Sequence, residues 1–338
     1  MKKYVIEGFE HSPGKNCGST SLWNLAKFYG NNIEEHNIFG LASGLLFFYM
    51  KNGFGGAEYS IGGRNPLLIK DFFENTGINK EWETYNYFPK DKIKKYIDEK
   101  VPVLARTDLY YLPYYPKPVH FPGHELVIFG YEETKDGTTF IVSDSSFHEP
   151  QKVSEKDLAN AMDPPEKVIA FFELENHIMP VEEFYVKFDQ ESIIKSISKV
   201  VFRMLKVGQD FMGLKAMRKF ADTIELWVES KNTSWTLRFA YQVIERRGTG
   251  GGSFRFMYSD FLKDSSKIIG GKEGEILKEA GEIIFKSAEK WRQLALILKE
   301  LSEKPKVEKE DMQIPKKLAS EIYLLEKESF EKIEHILG

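Results

Sequence analysis

From about residue 180 onward this 338-residue chain repeats its apolar residues at helical spacing, whereas before about residue 175 short helical patterns alternate with β-rich runs and turn-rich loops. A single change of period half-way along excludes a uniform bundle or sandwich. It points to an α+β first half joined to a mostly α-helical second half. Helices are expected over Glu191–Lys206, Gly213–Glu229, Ser234–Arg246, Phe254–Ile269, Glu273–Ser302 and Pro315–Ile336. In the fifth of these, Ile276, Ala280, Ile284, Ala288 and Trp291 form one stripe, the pattern of a core face. In the first half Leu22, Leu25, Ala26 and Tyr29 share a helix face, and Gly30 is placed to end that helix. The runs Glu125–Tyr131 and Thr138–Val142 are rich in β-formers and flank an Asp136-Gly137 turn signal, so they read as an antiparallel hairpin. A further strand is expected over Val168–Leu174, after the Pro164-Pro165 break. The boundary falls between Glu175 and Pro180, which gives domains 1–176 and 177–338.

The chain has one cysteine, Cys17, at the start of the predicted helix in Gly14-Lys15-Asn16-Cys17-Gly18-Ser19-Thr20. A thiol there meets the positive end of the helix dipole and unpaired backbone N–H groups, both of which favour the thiolate. The plain alternative is a small buried hydrophobe. Downstream come His124 and Asp144, and cysteine, histidine, carboxylate is the chain order of papain-like catalysis. The imidazole takes the thiol proton, and the carboxylate fixes its tautomer. Register matters: a tight turn centred on Asp136-Gly137 places Asp144 opposite Phe129, whereas a longer loop centred nearer Thr134 brings it opposite His124.

Other residues qualify as companions of this site. His11, six residues before Cys17, is a candidate oxyanion donor beside the Cys17 N–H, with a surface-loop histidine as its alternative. The aromatic and proline-rich run from Asp108 through Tyr110 and Tyr111 to Pro116 leads toward His124 and suits a semi-rigid loop lining a substrate pocket. His120 and His124 have metal-ligand spacing only on a helix, which Pro122 and Gly123 oppose, so no metal site is expected. Gly248-Thr249-Gly250-Gly251-Gly252-Ser253 lacks a preceding strand and the Lys-Ser or Lys-Thr of a P-loop. Arg247, Gly250, Gly251 and Arg255 remain a candidate anion-binding set, against a tight interhelical connection.

A net charge of −4, with Lys and Glu interspersed, gives no reason to expect a nucleic-acid partner. One cysteine forms no internal disulfide, and Met1 to Gly8 lacks the apolar stretch of a signal peptide, which suggests a cytoplasmic protein. The longest apolar run, Leu41–Met50, is about half of what a membrane span needs. The aromatic content of the helical half leaves a homo-oligomer open.

Several stretches together resemble one family. His11–Tyr49, with Gly14-Lys15-Asn16-Cys17-Gly18-Ser19-Thr20 and Phe39-Gly40-Leu41-Ala42-Ser43-Gly44-Leu45, is similar to the N-terminal domain of the butirosin-biosynthesis acyltransferase H family. So are Gly62-Gly63-Arg64, Asp108–Tyr115, Gly123-His124 through Tyr131, and Asp144. Arg247 to Arg255 and Tyr258-Ser259-Asp260-Phe261-Leu262 resemble the uncharacterised helical domain that often follows it. The resemblance implies a papain-like fold, with Cys17 as nucleophile, His124 as base and Asp144 as orienting carboxylate. It also adds Arg64 to the substrate-binding candidates. Related leader peptidases carry a glutamine where His11 stands. The implied chemistry is transfer of an acyl group from a thioester, carried as phosphopantetheine on an acyl carrier protein, to a small amine acceptor, with no other cofactor. A cysteine peptidase or amidase built on the same residues, and a binding protein with an inert Cys17, are the rival readings.

Overall fold

The computed structural model describes residues 2–53, 55–116, 119–135, 137–168 and 173–337. Its secondary structure opens with β1 (Lys2–Val5), α1 (Cys17–Phe28), α2 (Glu35–Leu41), β2 (Leu45–Lys51), β3 (Tyr59–Arg64) and α3 (Leu68–Thr76). It continues with α4 (Lys90–Asp98), β4 (Val103–Asp108), β5 (Pro122–Thr134), β6 (Gly137–Ser143), β7 (Gln151–Ser154), α5 (Glu155–Met162) and β8 (Ile178–Pro180). The remainder is helical: α6 (Gln190–Val201), α7 (Gly213–Thr223), α8 (Thr233–Glu245), α9 (Arg255–Ile269), α10 (Gly271–Ser302) and α11 (Gln313–Leu337). A π-turn over Phe202–Lys206 extends α6, and a 3₁₀ stretch over Ile224–Glu229 extends α7. Each of the six helices expected from apolar spacing is therefore present. The fold is α+β, an antiparallel sheet followed by helices, as the change of period requires.

Two compact units divide the chain, and neither is continuous. The first comprises residues 1–35 and 77–187, the second 36–76 and 188–338. The sequence expectation placed a single boundary between 176 and 177. The difference has a physical cause: Phe39 and Phe47, from the inserted segment, are fully buried, Phe39 stacked on Phe254 and Phe47 packed at a tilt against Trp291 of the helical part. Residues 36–76 thus complete the helical core.

The first unit is built on a sheet in the order β7-β6-β5-β4-β8, with β1 also paired to β5. Strand β5 is long enough to be shared on one side, by β4 over its first half and by β1 over residues 130–133. The run from Gly123 to Tyr131 is buried, so this is the central strand, and α1 packs on it. α1 buries Leu22, Leu25 and Ala26, the stripe read from spacing. It ends where Gly30 takes φ +77, with Gly30 N–H bonded to the Lys27 carbonyl. The hairpin of β5 and β6 is present. Asp136 of its turn signal, and residues 169–172 of the strand expected over Val168–Leu174, lie outside the described residues.

In the second unit β2 and β3 pair as a small hairpin, and α10 packs against α8, α9 and α11. No helix among the described residues is long and apolar enough to cross a membrane. At the centre Arg255 and Glu326, both fully buried, pair through two nitrogens at 2.8 and 2.9 Å. Glu326 also accepts the Ser287 hydroxyl at 2.8 Å and the Trp291 indole N–H at 2.9 Å.

Candidate active site

Asn16 caps α1: its side chain accepts the Ser19 N–H at 3.3 Å, which makes Cys17 the first helical residue. Beneath this loop lies buried Glu35. It accepts the N–H groups of Lys15 at 2.9 Å and Asn16 at 3.1 Å, and the hydroxyls of Ser19 and Thr20, each at 2.8 Å. Gly14 is needed where it stands, because a Cβ there would meet Thr20 Oγ1 at 2.2 Å and Glu35 at 2.8 Å. Asn24 ties the helix to the end of β6, donating to the Ser12 carbonyl at 2.9 Å and to Ser143 Oγ at 3.2 Å.

Glu35 was not legible as a site residue, since nothing in its own neighbourhood points at a loop twenty positions earlier. Removing it takes the acceptor from four donors, three of them buried. Glu35→Ala is expected to lower unfolding free energy by about 2 kcal/mol or more and to slow alkylation of Cys17 by iodoacetamide. A denaturant midpoint and an alkylation rate both at wild-type values would show that the loop holds its shape unaided.

The path from Cys17 to Asp144 runs through β5. Thr134 pairs with Gly137, and the register holds to Gly130 opposite Ile141. Phe129 is then skipped, so that Ile128 faces Val142 and Val127 faces Ser143. This bulge, with a turn centred one residue earlier than Asp136-Gly137 and so a register moved by two, puts Asp144 opposite Leu126 rather than Phe129. His124 lies two residues from Leu126 on the same face, a diagonal that long side chains span. His124 Nε2 and Asp144 Oδ2 are 2.7 Å apart. Nδ1 is the ring nitrogen left for Cys17, whose sulfur acts on the imidazole. The structure therefore brings Cys17, His124 and Asp144 together, 7%, 3% and 0% exposed.

The electrostatics of the group are coherent. Burial works against charge on His124, but the Asp144 carboxylate, its hydrogen bond and the Cys17 sulfur together raise the imidazole well above its ordinary value. Burial likewise works against charge on Asp144, yet His124 and further hydrogen bonds hold its carboxyl below the ordinary range. Those bonds come from Ser146 N–H at 3.1 Å, Tyr115 O–H at 2.9 Å and Tyr114 O–H at 3.1 Å. Burial, then the Asp144 charge, pushes both phenols up, so they stay O–H donors. Tyr115 meets His124 edge-on at 5.9 Å, and Phe147 lies against both tyrosines. Tyr114 and Tyr115 thus lie against the His124–Asp144 pair, and Phe147 packs on those two rings.

The companion residues need correction. Both nitrogens of His11 are engaged, Nδ1 with Ser143 Oγ at 2.7 Å and Nε2 with the Phe147 carbonyl at 2.9 Å. It braces the Asp144 loop and has no N–H left for an oxyanion. Asp108 is fully buried and accepts from Tyr110 N–H, Phe121 N–H and His120 Nδ1, while the His120 ring stacks on Tyr110 at 4.0 Å. Asp108, Tyr110 and Tyr111 therefore belong to the knot that starts the loop, and its reach to Asp144 is made by Tyr114 and Tyr115. Arg64 ends β3, in register with Leu45, in the second unit.

The candidate anion set fails for a similar reason. The Gly251 N–H bonds Thr249 Oγ1 and the Gly252 N–H bonds Glu245, while Arg247 donates to Gln242. The Arg255 guanidinium is held by Glu326, Ser253 and the Leu46 carbonyl. With these donors engaged internally, Arg247, Gly250, Gly251 and Arg255 form a tight interhelical connection, not an anion cradle. Among the described residues no group of three or more His, Cys, Asp or Glu is placed to hold a metal ion.

One group near Cys17 escaped sequence reasoning. Glu125, 1% exposed, places Oε2 3.3 Å from Cys17 Sγ. Consecutive strand residues ordinarily face opposite ways, so nothing in the sequence pairs Glu125 with the sulfur that His124 also touches.

Comparison with known proteins places this geometry in context. Residues 16–145 match the family described as butirosin biosynthesis protein H, N-terminal, and residues 170–333 match a domain of unknown function, DUF4872. A crystal structure from Bacillus anthracis described as a C39-like peptidase is 13% identical, with a TM-score of 0.37, covering 55% of this chain and 100% of that one. No curated protein matches the chain.

Proposed function

We propose, for a chain whose residues 16–145 belong to the butirosin biosynthesis protein H N-terminal family and whose residues 170–333 belong to the DUF4872 family, a cysteine-dependent acyltransferase. The observation that carries this reading is a buried Cys17 at the start of α1, whose sulfur acts on a buried His124 that Asp144 orients and Tyr115 meets edge-on. A thiol so placed is a nucleophile awaiting an acyl group.

In the first half-reaction Cys17 thiolate attacks the carbonyl of an acyl thioester. The carbon–sulfur bond to the donor breaks, and the departing thiol takes its proton from His124. The donor in this proposal is a phosphopantetheinyl carrier protein. In the second half-reaction an amine attacks the Cys17 acyl-thioester, His124 takes a proton from its nitrogen, and Cys17 leaves as thiolate, forming an amide. The first exchange replaces one thioester by another and is close to neutral in free energy, so amide formation drives the sequence. The Cys17 N–H at the helix start is the group best placed to donate to the oxyanion of each tetrahedral intermediate. Tyr114, Tyr115 and Phe147 limit water at the acyl-enzyme, which favours transfer over hydrolysis.

Intact-protein mass spectrometry after incubation with short acyl thioesters tests this, with Cys17→Ala as control. A Cys17-dependent adduct that an added amine discharges faster than water does is the expected result. Discharge by water alone would make the protein a hydrolase. No adduct, together with a thiol that iodoacetamide leaves untouched, would make Cys17 an inert core residue.

A further inference from the structure

The acyl acceptor reaches the enzyme with one proton too many. An alkylamine at neutral pH is an ammonium ion, so it must lose a proton before it can attack and a second as the amide forms. His124 accounts for one of these. From the position of Glu125 we infer that its carboxylate is the second proton acceptor, which makes the preferred acceptor a cationic alkylammonium group. The inference rests on the acyltransferase reading and narrows it.

Three observations support it. Glu125 Oε2 lies 3.3 Å from Cys17 Sγ, so it borders the atom that will carry the acyl group. The carboxylate is buried, and Arg106 Nε stands 3.8 Å from its other oxygen, Oε1, with the guanidinium itself resting on the Trp82 ring at 4.4 Å. Finally, the placement is costly for the first half-reaction, because a carboxylate beside sulfur opposes the thiolate. A hydrolase would gain nothing in return, since His124 alone can take the proton of water. An aminolysing enzyme gains both an electrostatic seat for the ammonium and a base for it.

The protons balance as follows. The ammonium gives one proton to Glu125, producing the neutral amine and a carboxylic acid. The amine nitrogen attacks the acyl carbon, His124 takes the second proton, and the carbon–sulfur bond breaks to release Cys17 thiolate. Glu125 then loses its proton to solvent. No oxidant or further reactant is required.

The test compares two nucleophiles on the acyl-enzyme formed from a short acyl N-acetylcysteamine thioester. Butylamine is an ammonium ion at pH 7, and hydroxylamine is already neutral. In Glu125→Gln the ratio of butylamine to hydroxylamine discharge is expected to fall by about tenfold or more, and in Glu125→Asp to recover in part. An unchanged ratio in Glu125→Gln, whether both rates fall or neither does, would overturn the inference and leave Glu125 as a structural partner of Arg106. Should Glu125→Gln fail to accumulate the adduct, the wild-type protein carries the test. Its ratio should exceed that of a free thioester in solution by about tenfold or more, and an equal ratio would overturn the inference. A wild-type protein that forms no Cys17 adduct at all would refute the acyltransferase reading itself, an outcome distinct from any of these.

Discussion

Asp144→Asn is expected to leave the fold intact and to slow turnover by about four orders of magnitude, the scale on which loss of tautomer control acts in such triads. The carboxylate accepts from His124 Nε2, which leaves Nδ1 to receive the Cys17 proton. An amide can present its NH₂ to the same nitrogen, and the ring is then held in the wrong tautomer. Two further changes follow. The Asp144 charge helps to hold His124 well above its ordinary imidazole value, so its removal lowers the pH at which the imidazolium loses its proton. The thiolate–imidazolium pair then persists over a narrower range, cut off from the alkaline side. Steady-state turnover and the pH profile of Cys17 alkylation read these effects separately. Near-normal turnover in the variant would remove Asp144 from the mechanism.

Glu326→Gln should be the most damaging single change to stability, at about 3–5 kcal/mol. It leaves the guanidinium of Arg255, fully buried, without a counter-charge. The pair also has no solvent-exposed alternative, because the remaining Arg255 contacts are to Ser253 and the Leu46 carbonyl. Replacing both partners, as Arg255→Met with Glu326→Leu, should recover part of the loss, since burying two apolar groups is far less unfavourable than burying one unpaired charge. Recovery stays incomplete because Ser287 and Trp291 lose their acceptor. Urea unfolding followed by helical circular dichroism would measure both. A Glu326→Gln midpoint equal to wild type would show that the pair contributes nothing net.

Much of the architecture was legible because it is local. The helix start at Cys17, the stripe of Leu22, Leu25 and Ala26, the β5–β6 hairpin and the helices from 190 onward all follow from spacing within a few residues. Cys17, His124 and Asp144 stood out for the same reason, as a chain order of suitable groups. Their geometry was not legible: it depends on the bulge at Phe129, and a single skipped residue carries no composition signal. The loop after Asp108 was recognised as aromatic, but which tyrosines reach inward is decided by the Asp108–His120 knot, a contact across twelve residues. Glu35 and Glu125 carry no signal in the sequence, because a buried carboxylate is defined by donors that tertiary packing brings to it. The sequence leaves the glycine run open between an anion cradle and a tight interhelical connection, because it shows how many N–H groups a loop owns, not which of them are already engaged.

The discontinuity of the two units also limits how such a protein can descend. Its chain leaves the cysteine-bearing unit after residue 35, lends 36–76 to the helical unit, and returns at 77. A recombination that exchanged tails between 176 and 177 would strip Phe39, Phe47 and Phe72, all fully buried, of the core they fill. The span that matches the N-terminal family, 16–145, already contains that borrowed piece. Modular swapping of the helical half is therefore a poor route to new variants. Lineages carrying this arrangement should inherit both halves together, with substitutions in 36–76 tracking those in the helices rather than those around Cys17.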